Sequence, residues 1–196
     1  GGPLLTAKTA DLEGTLRFGP FQWEGNAFLG ARWAELARTT QMRVDVVPTL
    51  QTSTQTSSVL SDGVGLTFGW EGQRPLGDRG LALVTNLRGS VLWGDTHSTA
   101  YNRYFEPGVF APQFAGVEED TTLCIAEVQA GLQWSQKIER FRAEVFTHVV
   151  FEYQYWDAEE TPYLAEQVVN GTYTAAGSLG TDVDFVGFAW AIGFRR

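Results

Sequence analysis

Residues 182–196 read DVDFVGFAWAIGFRR. Val186, Phe188, Trp190, Ile192 and Phe194 are bulky and apolar, while Gly187, Ala189, Ala191 and Gly193 between them are nearly bare backbone. Side chains of an extended chain alternate between two faces. The segment therefore predicts a β-strand with one greasy face and one almost smooth one. Whether the greasy face meets a protein core or lipid has to be decided by the rest of the chain.

Six further segments share this period. Leu4, Ala10, Leu12, Leu16 and Phe18 fall on one face against Asp11, Glu13 and Arg17, and Phe21, Trp23, Ala27, Leu29, Ala31 and Trp33 oppose Gln22, Glu24, Asn26 and Arg32. Val64, Leu66, Phe68 and Trp70 oppose Gly63, Gly65, Thr67, Gly69, Glu71 and Gln73, and Leu81, Leu83, Leu87, Val91 and Trp93 oppose Asn86, Arg88 and Ser90. Cys124, Ala126, Val128, Ala130, Leu132 and Trp134 oppose Glu127, Gln129 and Gln133. Phe141, Val145, Val149, Phe151, Tyr153 and Tyr155 oppose Arg142, Glu144, His148, Glu152 and Gln154. Repeated alternation of this kind predicts an antiparallel all-β fold.

Composition narrows the choices. A length of 196 residues suits one domain spanning 1–196, and 13% aromatics with 22 Gly and 7 Pro suit strands joined by turns. No run of 18 apolar residues is present, which excludes a transmembrane helix but not membrane strands. A net charge of −9 argues against a nucleic-acid partner. The lone Cys124 forms no internal disulfide, and no Cys/His cluster suggests a metal; no cofactor is expected. No charged and then apolar leader begins at Gly1, so any signal peptide lies outside this sequence. Lys8 and Lys137 are the only lysines among 14 basic residues, and that arginine bias suits charges paired in an enclosed space.

The connections are expected to alternate in length. Gly19-Pro20, Leu76–Gly80 and Lys137–Arg140 read as tight turns, whereas residues 39–60, 98–120 and 158–180 read as long polar loops. Long loops at one end and short turns at the other is the asymmetry of outer-membrane barrels. Trp23 and Trp33 lie ten residues apart on one face, close to the length of a membrane-crossing strand. With Trp70, Trp93, Trp134, Tyr153, Tyr155 and Phe194 they form the expected interface aromatics. The opposite face becomes the lumen, in which Asp11, Glu13, Glu24, Glu71, Glu127, Glu144 and Glu152 meet Arg17, Arg32, Arg88 and Arg142, with His148 among them. Inward glycines such as Gly63, Gly65, Gly69, Gly187 and Gly193 are expected to make room for these long polar side chains.

The stretches ADLEGTLRFGPFQWEGNAFLGARWAEL, DGVGLTFGWEGQRPLGDRGLALVTNLRGSVLWGD and DFVGFAWAIGF resemble the Legionella-type major outer-membrane-protein family, which also has planctomycete-like members. The resemblance covers nearly all of the chain but the long loops and rests on strand patterns around Asp11-Leu12-Glu13 and Gly63-Val64-Gly65. It implies an outer-membrane β-barrel with a porin-like or structural role and no catalytic residues. Such barrels commonly end on an aromatic residue; here Phe194, followed by Arg195-Arg196, takes the place of the insertion-signal aromatic.

Several motifs invite chemistry and have plainer readings. Asp95-Thr96-His97-Ser98 holds the ingredients of a hydrolase triad, but neighbours on an extended strand point to opposite sides, so loop polarity is the better reading. His148 between Glu144 and Glu152 reads as a histidine in an ion-pair lattice, and Gly63-Val64-Gly65 with Gly69 lacks the following helix of a dinucleotide loop. Asn170-Gly171-Thr172 is a chance sequon, and Glu118-Glu119-Asp120 and Glu159-Glu160 are solvated charge runs.

The expectation is an up-and-down antiparallel transmembrane β-barrel of a bacterial outer membrane, surrounded by outer-membrane lipid, structural or narrowly porin-like, and not an enzyme. A soluble lipocalin-like barrel holding an apolar ligand is the first alternative. An outer-membrane lipid-modifying enzyme using His97 or His148 is the second. Seven strands are expected in this chain as part of an 8- or 10-stranded barrel, because a periplasmic end for the last strand puts Gly1 at the outer surface. On that count an odd number of strands precedes Gly1, as in the C-terminal part of a longer barrel, or a neighbouring barrel chain supplies the missing edge.

Overall fold

The computed structural model describes residues 4–46, 51–106, 109–139, 143–158, 166–169, 172–175 and 182–195. They form β1 (Leu4–Arg17), β2 (Glu24–Val46), β3 (Gln51–Pro75), β4 (Leu81–Glu106), β5 (Val109–Ile138), β6 (Ala143–Ala158), β7 (Glu166–Val169), β8 (Thr172–Ala175) and β9 (Val183–Arg195). One seven-stranded antiparallel sheet runs in the order β1-β2-β3-β4-β5-β6-β9, and β7 and β8 make a separate two-stranded ribbon. Strand neighbours in space are neighbours in sequence apart from the β7–β8 excursion. The all-β, up-and-down expectation is met. The seven strands do not close into a barrel: among the described residues β1 pairs only with β2 and β9 only with β6, so the sheet keeps two free edges.

Short connections sit at one end. Between β1 and β2, the Phe18 amide donates to the Gly25 carbonyl (2.8 Å) and the Trp23 amide to the Pro20 carbonyl (3.0 Å). Phe21 and Gln22 turn the chain through positive φ (51° and 70°). Phe21 and Trp23, expected on strand two, therefore belong to a turn, because Pro20 has no amide to continue a ladder. Between β3 and β4, Gly77 and Gly80 adopt φ of 76° and 74°, where the absence of a Cβ removes the steric penalty.

The other end corrects the expectation of long loops at 39–60 and 98–120. Pairing continues to Val46↔Gln51 between β2 and β3 and to Glu106↔Val109 between β4 and β5. Residues 39–60 are mostly polar on both faces and residues 98–120 mix aromatic and polar side chains on both, so alternation is invisible in the sequence, yet the threonines of the first stretch and the aromatics of the second suit an extended backbone. Their side chains bond across the strands: Thr39 with Ser58 (3.2 Å), Gln41 donating to Thr56 (3.4 Å), and Thr96 donating to Ser61 (2.8 Å). Of the third loop, 158–180, the structure describes only the β7–β8 ribbon beyond Ala158.

The sheet curls around one face. Arg32 on β2 reaches Glu127 on β5, and Arg88 on β4 reaches Asp11 and Glu13 on β1, distances that a flat sheet would not allow. The face opposite is convex and apolar: Leu12 and Phe188 are each 79% exposed, and Leu66 and Phe68 each 56%.

Candidate functional site

Strand register stacks the concave face in layers. Moving away from the short turns, a polar ring comes first. Arg17, Asn26, Glu71, Asn86, Gln129, Glu152 and Gly187 are register partners in one continuous row across all seven strands. A cavity of about 640 Å³ opens at this level, and its lining also includes Glu24, Gln133 and His148. Asn26 donates to Glu71 Oε1 (3.2 Å) and Gln129 to Glu152 Oε1 (3.0 Å). His148 stacks on Phe146, with ring centroids 6.2 Å apart and planes 24° from parallel.

A charged girdle follows. Arg32, whose side chain is only 3% exposed, donates from Nε to Asp11 Oδ1 (2.6 Å) and from Nη2 to Asp11 Oδ2 (3.1 Å), a two-pronged pair. Its Nη1 donates to Glu127 Oε1 (3.1 Å) and to Ser90 Oγ (3.2 Å), and Ser90 donates onward to Thr67 (3.0 Å). Arg88 Nη1 donates to Asp11 Oδ2 (2.6 Å) and lies 2.8 Å from Glu13 Oε1, an ion contact without hydrogen-bond alignment. The Arg88 guanidinium also sits 4.7 Å over the Phe28 ring. Phe28 has its space because Gly69 faces it; a Cβ on Gly69 would collide with the ring and with the Leu87 carbonyl. Inward glycine thus makes room for an aromatic ring, where the sequence pattern suggested room for charges. Gly193 does the same for Phe146, and of the inward glycines Gly63, Gly65, Gly69, Gly187 and Gly193 only Gly187 has open space where its Cβ would stand.

Beyond the girdle the interior becomes apolar. Ala34, Leu36, Leu92, Leu123, Ile125, Trp156 and Ala158 form a buried cluster, with Leu5, Val183 and Phe185 packed against it. This cap was missed in the sequence, although its signal was there: Leu92 shares parity with Arg88, Ile125 with Glu127 and Trp156 with Glu152.

Of the twelve residues expected in one lumen network, the structure brings Asp11, Glu13, Arg32, Arg88 and Glu127 into contact, and places Arg17, Glu24, Glu71, His148 and Glu152 around the cavity. Glu144 lies in register between Lys137 and Arg195, away from both groups, and Arg142 is outside the described residues.

Among the expected interface aromatics, Trp23 stacks edge-on against Trp70 (5.2 Å, 71°) at the short turns, and Trp70 donates to the Phe18 carbonyl (2.9 Å). Trp134 stands near the same end, opposite Leu81. Trp33 and Trp93 share one register row through Val64. Tyr153 donates to Asp184 (2.6 Å), Tyr155 is the register partner of Asp184, and Phe194 is 77% exposed beside Val145.

The Asp95–Ser98 run is strand, not loop. Thr96 and Ser98 are buried on the concave side, while His97 points outward, 3.6 Å from Glu118. No relay can form from residues on opposite faces. Glu118 and Asp120 are also strand residues, opposite His97 and Asp95. Glu159-Glu160 and the first two residues of the Asn170 sequon lie outside the described residues.

No family model matches the chain, and no curated protein or solved structure is similar to it.

Proposed function

We propose that this sheet is the wall of a β-barrel in a bacterial outer membrane, with a structural or narrow porin-like role and no catalysis. The observation that carries the reading is the outer face. Exposed apolar side chains run along every strand of the large sheet, and a soluble monomer rarely leaves a contiguous patch above a few hundred Å² uncovered. The patch also meets a charged row, beyond which only Leu4, Tyr101 and Phe114 are large exposed apolar side chains among the described residues. One residue pair beyond the Trp33–Val64–Trp93 row, the outward positions in register are Lys8, Glu35, Asp62, Asp95 and Asp120. An aromatic row bordered by a charged row is what a membrane interface selects.

On β5 the apolar outward run from Cys124 to Trp134 covers ten steps; at about 3.3 Å per residue and a tilt of about 40° it would cross about 25 Å, the height of a barrel's lipid band. The resemblance of the strand patterns to the Legionella-type outer-membrane proteins agrees with this reading. In lipid, the free edges of β1 and β9 would have to be paired, by further strands or by a neighbouring barrel chain, because hydrocarbon satisfies no backbone hydrogen bonds. The soluble, ligand-storing alternative would put its apolar face inside, whereas here guanidinium and carboxylate groups cross the middle of the interior.

Adjacent positions test the orientation. Phe151→Arg, on the outer face, should weaken folding into phospholipid vesicles by about 2–4 kcal/mol. Glu152→Gln, on the inner face, should change it far less. A larger defect for Glu152→Gln would reverse inside and outside and sink the reading.

A further inference from the structure

The polar ring and the girdle carry similar residues, but only the girdle sets its acids against guanidinium groups. Glu24, Glu71 and Glu152 line the cavity, and among the described residues none of them has an arginine or lysine within ion-pair distance. Among the described residues Arg17 is the one guanidinium in the lining, and its register partner is Asn26, not an acid. Among the described residues the cavity therefore holds an excess of negative charge, on a concave wall where Glu24 and Glu71 are open to solvent and Glu152 is half-buried.

We infer that this cavity binds a small linear organic polycation, a di- or triamine. Its volume of about 640 Å³ lies in the range of small-molecule sites. The side-chain amides of Asn26 and Gln129 each hold one oxygen of Glu71 and Glu152, which fixes both carboxylates and leaves the second oxygen of each for a ligand ammonium. No group of three metal-ligating side chains converges among the described residues, so the acids are spread along the wall and not gathered around a point. Glu71 on β3 and Glu152 on β6 are three strands apart, an arc of about 14 Å at about 4.8 Å per strand and a shorter chord across the curve. Two ammonium groups joined by methylenes can bridge such a span where a single cation cannot. Val84, Val150 and Ala189 give the chain between them an apolar wall. Gly187 leaves open space beside Glu152. The inference concerns the concave face alone and stands whichever medium covers the convex one.

Calorimetric titration of the full chain in detergent micelles, with putrescine and spermidine as probes, tests it. The expected result is saturable one-to-one binding of at least one probe, weakened at least tenfold by Glu71→Gln and by Glu152→Gln and unchanged by Asp62→Asn on the outer face. No saturable binding at millimolar amine would overturn the proposal. So would an equal loss in Asp62→Asn, which would mark the amine as a diffuse counterion. Should a glutamine variant fail to fold, the wild type answers through carbodiimide labelling read by mass spectrometry. Spermidine should protect Glu71 and Glu152 and leave Asp62 reactive; unprotected cavity carboxylates would contradict the site.

Discussion

The girdle lies two to six residues from the polar ring along the same strands, on the same face, and the two are built from the same kinds of side chain. In the girdle, Asp11, Glu13 and Glu127 all sit against Arg32 or Arg88. In the ring the acids have amides beside them: Glu71 stands between Asn26 and Asn86, and Glu152 between Gln129 and Gly187. Composition is not what separates the two layers. Cross-strand neighbours are, because side chains opposite one another approach to about 5 Å while the next diagonal lies at about 7–8 Å. The first layer becomes a strut across the interior and the second a receptive surface.

The largest effect that tests this contrast is on stability. Arg32→Met should remove about 3 kcal/mol, because it takes the two-pronged partner from Asp11 and the nearest one from Glu127 and leaves both partly buried carboxylates to Arg88 alone. Glu152→Gln, in the ring, should cost no more than about 1 kcal/mol, since its one bond is to an amide. Urea unfolding of both variants in detergent micelles measures the difference, and similar losses would erase the distinction.

A middle-sized effect separates the glycines of the same two layers. Gly69→Ala drives a methyl group into Phe28 and the Leu87 backbone beneath the girdle, and should destabilise by about 1–3 kcal/mol. Gly187→Ala, in the ring, meets nothing within 4 Å and should stay within about 0.5 kcal/mol. Thermal unfolding in the same detergent is sufficient to compare them.

The smallest effect expected is on ion flow. With the girdle bridged and the apolar cap of Leu92, Leu123 and Trp156 above it, pure protein in a planar bilayer should show little or no conductance. A large, steady open channel would mean that the girdle does not span the interior under those conditions.

Much of the architecture was legible in the sequence. Parity identified the two faces of each alternating segment, and Phe151 and Glu152 fall on opposite sides as the pattern requires. Strand length was not legible, because from Thr39 to Leu60 mostly polar residues occupy both faces, from Ser98 to Asp120 aromatic and polar residues are mixed on both, and the period carries no contrast. The cap escaped for a related reason. Leu92, Ile125 and Trp156 continue the polar parity of their strands, so a reading that assigns one character to each face has no place for an apolar layer on the charged side. Which acids pair was also hidden, since pairing depends on register between strands and periodicity is a property of one strand. Arg32 and Glu127 look no different in the sequence from Arg17 and Glu71.

From β1 to β6 each strand pairs with the one before it, so this part of the meander can assemble by accretion, one hairpin after another, with only short loops to close at each step. The bridge from Arg32 to Glu127 is of another kind, since its ends are 95 positions apart. Arg32 is in place once β2 folds, but its second carboxylate arrives only with the fifth strand, after the intervening chain has lost its freedom. The girdle therefore works as a checkpoint on assembly, rewarding the chain late and only if every hairpin between β2 and β5 has docked in register. A slip of one residue anywhere along that path would turn Glu127 to the outer face and leave Arg32 without its second partner.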